Sequence, residues 1–419
     1  MYAFKITGGK QLSGEVEIKA AKNAVLPLMI CTLLTDEPIV LHNVSALADV
    51  KTLMQLLTSL GTEITLDGST MTLQTKEIKT CVASYEYISK MRAGFWVLGP
   101  LLTRLGKAEV SLPGGCAIGG RLLDIYQTAL IAMGATIDTD HGYIKASGHL
   151  HGADVSCWRV TVGGTHNTIM AASLAQGTTV IHNAALEPEV MDLIQMLTQM
   201  GAKFEGVGTR TLTIHGVEKL HGTEYTPVPD RIETITFMAA AALTKSQLFL
   251  KNARMDLMES ALPPFLMSQI KVEQQPFGVM VDACAAHLVA THLTTGPYPE
   301  LPTDDQPLLC AMMTLAKGES FINETMHDNR FMYVPELGRM GANIRLLDNT
   351  HALINGVDSL KGATVMASDL RGGAALVVAA LAASGLTTVQ RVYHIDRGYY
   401  HLEEKLQKVG AVIERVWLD

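Results

Sequence analysis

The chain has 419 residues, 48% of them hydrophobic and 18% charged, with a formal net charge of −8. That much apolar material builds large cores and excludes disorder, and the length fits two or three domains. The acidic balance and the lack of a Lys/Arg run exclude a phosphodiester backbone as partner, but leave room for a small anion held by a few placed arginines.

The N-terminal MYAFKITGG has no basic region followed by an apolar stretch, so no signal peptide is expected. The following strand-like YAFKITGGKQLSGEVEI could belong to either domain. Lys22-Asn23 then opens the apolar, helix-patterned AVLPLMICTLL. A lysine at a helix start runs against the helix dipole. It is either merely solvated or held there for an anion that the helix N-terminus also attracts.

From here a phrase recurs: an apolar residue, Gly-Ala or a relative of it, then alternating apolar residues. Its matched positions are Gly61, Gly134, Gly201, Ser268, Gly341 and Gly410, with spacings of 73, 67, 67, 73 and 69. Each copy follows helix-patterned sequence such as VMDLIQMLTQMG, which ends at glycine as a left-handed helix stop requires. Each is led by a short strand-like piece such as GTTVIHNAA, and the alternation after the glycine predicts a hairpin. A second apolar helix, such as THNTIMAASLAQG or RGGAALVVAALAASG, completes the unit. Six copies sharing cores fit two domains of three. The proline-bearing TEYTPVPDRIET (Thr223–Thr234) is the best linker. In the fourth copy Pro263-Pro264 fall at the helix position, which predicts a short or broken helix.

Chemistry-bearing residues lie between these elements. SLPGGCAIGGR places Cys116 among glycines with Arg121 five residues on; it fits a catalytic loop or a plain turn around a buried thiol. It is no P-loop, because Gly120 stands where the lysine should be. The six cysteines show neither CxxC nor zinc-ligand spacing, so reduced thiols in a cytoplasmic protein are expected, five of them plain small hydrophobes. LPTDDQPLL offers a general base or a turn with a helix cap. Arg330, Asp369 with Arg371, and Asp396 with Arg397 are each a surface salt bridge or part of an anion site. The longest apolar run, Ala374–Ala383, is about half of what a bilayer requires.

Taken in order, AAKNAVLP, MRAGFWVLGPLL, SLPGGCAIGGR, EPEVMDL, PDRIET, LPTDDQP, NRFMYVPELGRMGA, SDLRGGAALV and YHIDRGY resemble the UDP-N-acetylglucosamine 1-carboxyvinyltransferase family, from Phe4 to Arg415. The resemblance implies a two-domain inside-out α/β barrel of six repeats, three per domain. Residues 22–229 would form one domain carrying the cysteine loop. Residues 1–21 and 230–419 would form the other, with the active site in the cleft between them. It implies transfer of the enolpyruvyl group of phosphoenolpyruvate to the 3′-hydroxyl of UDP-N-acetylglucosamine with release of phosphate, the committed step into peptidoglycan. Fosfomycin would be an alkylating inhibitor. No metal or organic cofactor, no nucleic acid and no membrane insertion is expected, and a monomer is.

By the same resemblance Cys116 is proton donor and adduct-forming thiol, Asp304 contacts the attacking hydroxyl, and Asp369 and Arg397 complete the reaction centre. Phosphoenolpyruvate falls to Lys22, Asn23, Arg121, Arg330, Arg371 and Arg397. The nucleotide sugar falls to Asn23, Arg92, Arg121, Leu122, Leu123, Asp124, Ile125, Arg159, Val160, Thr161, Val162, Asp304 and Met326. The chain departs from the family pattern at Leu122, Tyr126, Arg159, Thr161 and Leu308, where Pro, His, Lys, Ser and Gln are usual. The alternatives are enolpyruvyl transfer to shikimate 3-phosphate, whose enzymes lack the loop cysteine, and a non-catalytic UDP-sugar-binding paralogue.

Overall fold

The computed structural model describes residues 1–113 and 124–418. They fall into two compact units, one holding residues 20–113 and 124–228, the other 1–19 and 229–418. Each unit contains three four-stranded sheets.

The third repeat shows the pattern. A short strand, Asp154–Ser156, leads into the apolar helix Val162–Ala172 and out to the strand Thr178–His182. The two strands pair in parallel, as a strand-helix-strand crossover requires. A second helix, Pro188–Gln199, then leads into the hairpin Lys203–Glu205 and Thr211–His215, which pairs antiparallel with the crossover strand. The glycine after that helix, Gly201, has φ +107°, and Gly61, Gly134, Gly341 and Gly410 share this left-handed conformation.

The crossover helices are apolar on all sides, and such helices must be buried on all sides. Every residue of Arg231–Thr244 is buried, as is every residue of Leu370–Ala382 but the last. In residues 229–418 the helices Arg231–Thr244, Gln306–Met313 and Leu370–Ala382 pack on one another. The sheets lie outside them, each turning one face inward, as the alternating burial of Gln247–Lys251, Glu319–Asn323 and Leu386–Gln390 shows. In residues 20–228, Leu98–Leu105 packs on Val162–Ala172 at Gly99, where a Cβ would stand 2.7 Å from the Asn167 carbonyl oxygen. The apolar run at Ala374 is thus an inner helix, and among the described residues no helix is long and apolar enough to cross a membrane.

Four features differ from the sequence-based expectation. Each sheet has a fourth, short parallel edge strand of two to five residues, too brief to leave a periodic signal. The N-terminal strand is two strands, Tyr2–Thr7 and Ser13–Glu17, in different sheets. In the last repeat Tyr2–Thr7 takes the place of a hairpin strand, pairing between Val412–Trp417 and Leu386–Gln390. In the eroded fourth repeat the left-handed residue is Gln269, φ +61°, and not Ser268. Its helix is the five-residue Pro263–Met267, with both prolines in its first turn.

Among the described residues the chain passes between the units twice, exchanging a strand for a helix each time. Ser13–Glu17 pairs with Gln247–Lys251, while the following helix, Lys22–Ile30, belongs to residues 20–228. Conversely Thr223–Tyr225 pairs with Ile39–Leu41, while the following Arg231–Thr244 belongs to residues 229–418.

Candidate active site

In residues 229–418 the three inner helices begin at equivalent positions of their repeats, and each beginning carries an acid. Asp230 accepts from the N–H groups of Ile232 and Glu233, both at 2.9 Å. Asp369 Oδ1 accepts from those of Arg371 and Gly372, both at 3.0 Å, and its Oδ2 accepts from the Ser368 hydroxyl at 3.0 Å. Asp305 stands immediately before the helix Gln306–Met313 and pairs with buried Arg231 at 3.7 Å. Asp230 and Asp369 satisfy otherwise orphaned donors, and all three acids meet the positive helix end.

Against these caps two arginines converge on one carboxylate. Arg330 Nη2 donates to Asp304 Oδ1 at 3.0 Å and Arg371 Nε to Asp304 Oδ2 at 3.3 Å. Both arginine side chains are 2% exposed, and Asp304 is 28% exposed. Burial disfavours the Arg371 charge, but Tyr399, Asp304 and Asp230 hold the guanidinium protonated, with a pKa raised above the ordinary arginine value. The Tyr399 ring also lies 5.4 Å from that guanidinium, at cation–π range. Arg330 Nε and Arg371 Nη1 remain buried donors without a hydrogen-bond partner among the described residues. Two positive charges against one carboxylate, with spare buried donors, suit an anion.

Arg397 ends the helical turn Val392–Arg397, which packs on Leu370–Ala382, the helix that Asp369 caps. His394 in that turn is pushed below the usual imidazole pKa by burial and by the Arg397 charge. Asp396, beside Arg397, receives both terminal nitrogens of Arg415, at 2.9 and 2.7 Å. Met326 donates its N–H to Glu324 at 2.9 Å. Structure thus brings Asp304, Arg330, Arg371 and Asp369 together, with the Arg397 turn packed against their helix.

In residues 20–228, Lys22 is the first residue of its helix, and its ammonium pairs with Asp49 at 3.2 Å; the two side chains are only 12% and 5% exposed. Asn23 follows, half-buried. Arg92 opens the turn Arg92–Val97, and its Nη1 is buried without a partner among the described residues. Thr161 caps the helix Val162–Ala172 by accepting from the Gly164 N–H at 3.5 Å. Arg159 is exposed, while Val160 and Val162 are half-buried. Asp124 opens the helix Asp124–Ala132, in which Ile125 is buried. Tyr126 accepts a hydrogen bond from Trp96 Nε1 at 3.3 Å and packs edge-on against Phe95. Cys116, Arg121, Leu122 and Leu123 lie outside the described residues.

Four of the other thiols are poor nucleophiles. Burial pushes Cys310 up to about 12 and raises Cys31 and Cys157, while a hydrogen bond from the side chain of Cys284 to Asp282 raises Cys284. Among the described residues no group of three or more His, Cys, Asp or Glu side chains is placed to hold a metal ion. Leu308, a departure from the family pattern, is fully buried in an inner helix, where an aliphatic side chain packs.

Sequence reasoning missed Asp49, Tyr399, Glu324 and Arg415. Each has a partner distant in sequence, and although Tyr399 closes the YHIDRGY motif, nothing in that motif marks it as the partner of Arg371. Only PDRIET, singled out for other reasons, held a clue to the Asp230–Arg231 start of an inner helix.

Residues 6–406 match the family model described as EPSP synthase (3-phosphoshikimate 1-carboxyvinyltransferase). The chain is 48% identical over 428 residues to the UDP-N-acetylglucosamine 1-carboxyvinyltransferase of Azorhizobium caulinodans, and 49% identical over 418 residues to that of Acinetobacter baylyi. Both alignments cover 99% of this chain and 100% of the relative. Among solved structures it is similar to the enolpyruvyl transferase NikO from Streptomyces tendae, with TM-score 0.91 and 23% identity over 100% of this chain and 99% of that one. It is also similar to the EPSP synthase from Acinetobacter baumannii, with TM-score 0.79 and 15% identity over the full length of both. Those two likenesses concern the fold, and the fold is that of the enolpyruvyl transferases. By its near-full-length identity to these relatives, the chain belongs to the UDP-N-acetylglucosamine 1-carboxyvinyltransferase family of enolpyruvyl transferases.

Proposed function

We propose that the protein transfers the enolpyruvyl group of phosphoenolpyruvate to the 3′-hydroxyl of UDP-N-acetylglucosamine, releasing phosphate, at the entry to peptidoglycan synthesis in the cytoplasm. The observation that carries this reading is 48–49% identity over the whole chain to proteins of that name. The charge arrangement supports it. Phosphoenolpyruvate is a small polyanion, and Arg330 and Arg371 keep buried donors unspent beside Asp304.

The family resemblance assigns the roles, and the chemistry explains why they are needed. The sugar oxygen bonds to C2 of phosphoenolpyruvate as its proton leaves and a proton reaches C3. Loss of a C3 proton then expels phosphate and restores the double bond. Asp304 is the carboxylate at the attacking hydroxyl, and Cys116 is the proton donor to C3. Lys22, Arg121, Arg330, Arg371 and Arg397 carry the anion. Such charges act most strongly in a water-poor site. Arg92 and the segments 121–125 and 159–162, with Asn23 and Met326, hold the nucleotide sugar.

Phosphate release from the two substrates tests the reading, with wild type beside Cys116→Ser and Asp304→Ala. Loss of turnover in both variants is expected, and unchanged turnover in both sinks the site assignment. Turnover with shikimate 3-phosphate in place of the nucleotide sugar would overturn the substrate assignment. Fosfomycin should add to Cys116 alone among the six cysteines, and Cys116→Asp should abolish the adduct.

A further inference from the structure

Glu324 is a carboxylate buried to 1% exposure directly after the strand Glu319–Asn323. Burying an ionised carboxylate is costly unless its oxygens are satisfied. Four donors satisfy this one. Oε1 accepts from Thr295 Oγ1 at 2.9 Å, the Met326 N–H at 2.9 Å and the His327 N–H at 3.1 Å, and Oε2 accepts from Thr303 Oγ1 at 3.0 Å.

The repeats show what is ordinary here and what is added. Within two residues of the end of the equivalent strand stands a left-handed Asn43, Asn183, Asn252 or Arg391 in four other repeats. Asn183 donates to the Cys157 carbonyl and Asn252 to the Ile18 carbonyl, each just beyond a short edge strand. Thr295 is just beyond the short strand His292–Thr294, so Glu324 makes the same link in the fifth repeat. Among the described residues only there does the side chain also reach two further segments. One is Thr303, which precedes Asp304; the other is the Met326–His327 turn, which leads to Arg330. Arg330 closes the ring by pairing with Asp304 at 3.0 Å.

We propose that Glu324 is a positioning residue for the reaction. Its carboxylate clasps the Asp304 loop to the Met326–Arg330 loop, so that the carboxylate at the attacking hydroxyl and the backbone at the nucleotide sugar keep one spacing. The role in turnover rests on the proposed function; the clasp itself does not. A displacement of about 1 Å in a reacting constellation costs up to about 100-fold in rate.

The test uses the full chain, with Glu324→Ala, Glu324→Gln, Thr303→Val and the Glu324→Ala/Thr303→Val pair. Glu324→Ala should lower kcat/KM for UDP-N-acetylglucosamine by about 10- to 100-fold. Glu324→Gln should recover most of it, because its Oε1 still accepts from Met326 and His327. It also keeps the volume, so it stands if the alanine variant does not fold. Thr303→Val should cost less, and the pair no more than Glu324→Ala alone. Hydrogen exchange should show protection lost in Glu324→Ala both around Met326 and around Asp304. A Glu324→Ala kcat/KM within twofold of wild type, a Glu324→Gln as damaged as the alanine, or exchange rising only around Met326 overturns the proposal. Should wild type release no phosphate, the functional reading has failed and hydrogen exchange alone decides the clasp.

Discussion

Asp304→Asn keeps the shape of the side chain and removes its charge from between two buried arginines. At 3.0 and 3.3 Å, each pairing is worth a gross Coulomb attraction of about 5 kcal/mol at an effective dielectric near 20. Desolvation offsets most of that, and breaking a fully buried pair costs about 3–5 kcal/mol. Asp304 is 28% exposed, so solvent screening lowers the expected loss to about 2–3 kcal/mol. Urea unfolding should show that loss. Turnover should fall by about 100- to 10,000-fold, the usual worth of a placed proton acceptor. Affinity for phosphoenolpyruvate should move the other way, because the two guanidiniums have lost their internal counter-charge. Calorimetric titration should find binding unchanged or tighter. A kcat within tenfold of wild type, or binding weakened more than tenfold in a folded variant, would refute the assignment of Asp304 between the arginines as acceptor and charge balance.

Gln269→Gly should stabilise the protein by about 0.5–1 kcal/mol, since exposed Gln269 holds the left-handed conformation that glycine holds in the other five repeats; an unchanged or lower urea midpoint would contradict this. His166 is pushed down to about 4 by burial, so between that pH and about 6.5 the unfolded chain binds the extra proton and stability falls as pH falls. From pH 7 to 5 this group should account for about 2 kcal/mol of the loss, which His166→Leu should abolish; equal pH slopes in the two proteins would rule it out. Arg415→Ala frees Asp396 and Glu403, both held by the same guanidinium, and with them the Arg397 turn. KM for phosphoenolpyruvate should rise about tenfold, and Arg415→Lys should not rescue it, because an ammonium cannot serve two carboxylates in fork geometry. A KM that stays put while stability drops would make Arg415 purely structural.

Much was legible from the chain alone, because it was written locally. The six-fold repeat shows through glycines that a left-handed helix stop demands, and through helices too apolar to lie on a surface. The order of motifs around Lys22, Cys116, Asp304, Arg330, Asp369, Arg371 and Arg397 carries the family. The acid-and-arginine motifs stayed ambiguous between cap and anion site, and structure shows that Asp369 serves as the cap while Arg371, two residues on, turns to Asp304.

Pairing across distance was decided only by tertiary structure. Asp304 meets partners 26 and 67 residues away, Lys22 meets Asp49, and Glu324 joins three loops, through contacts that no local periodicity encodes. The same holds for the short edge strands and for Tyr2–Thr7 completing the last sheet. A strand of three residues has too few side chains to announce itself, and its place is set by the open sheet edge it finds. Residue types and spacing determined which chemistry this protein carries; packing of the repeats determined which of those groups face one another.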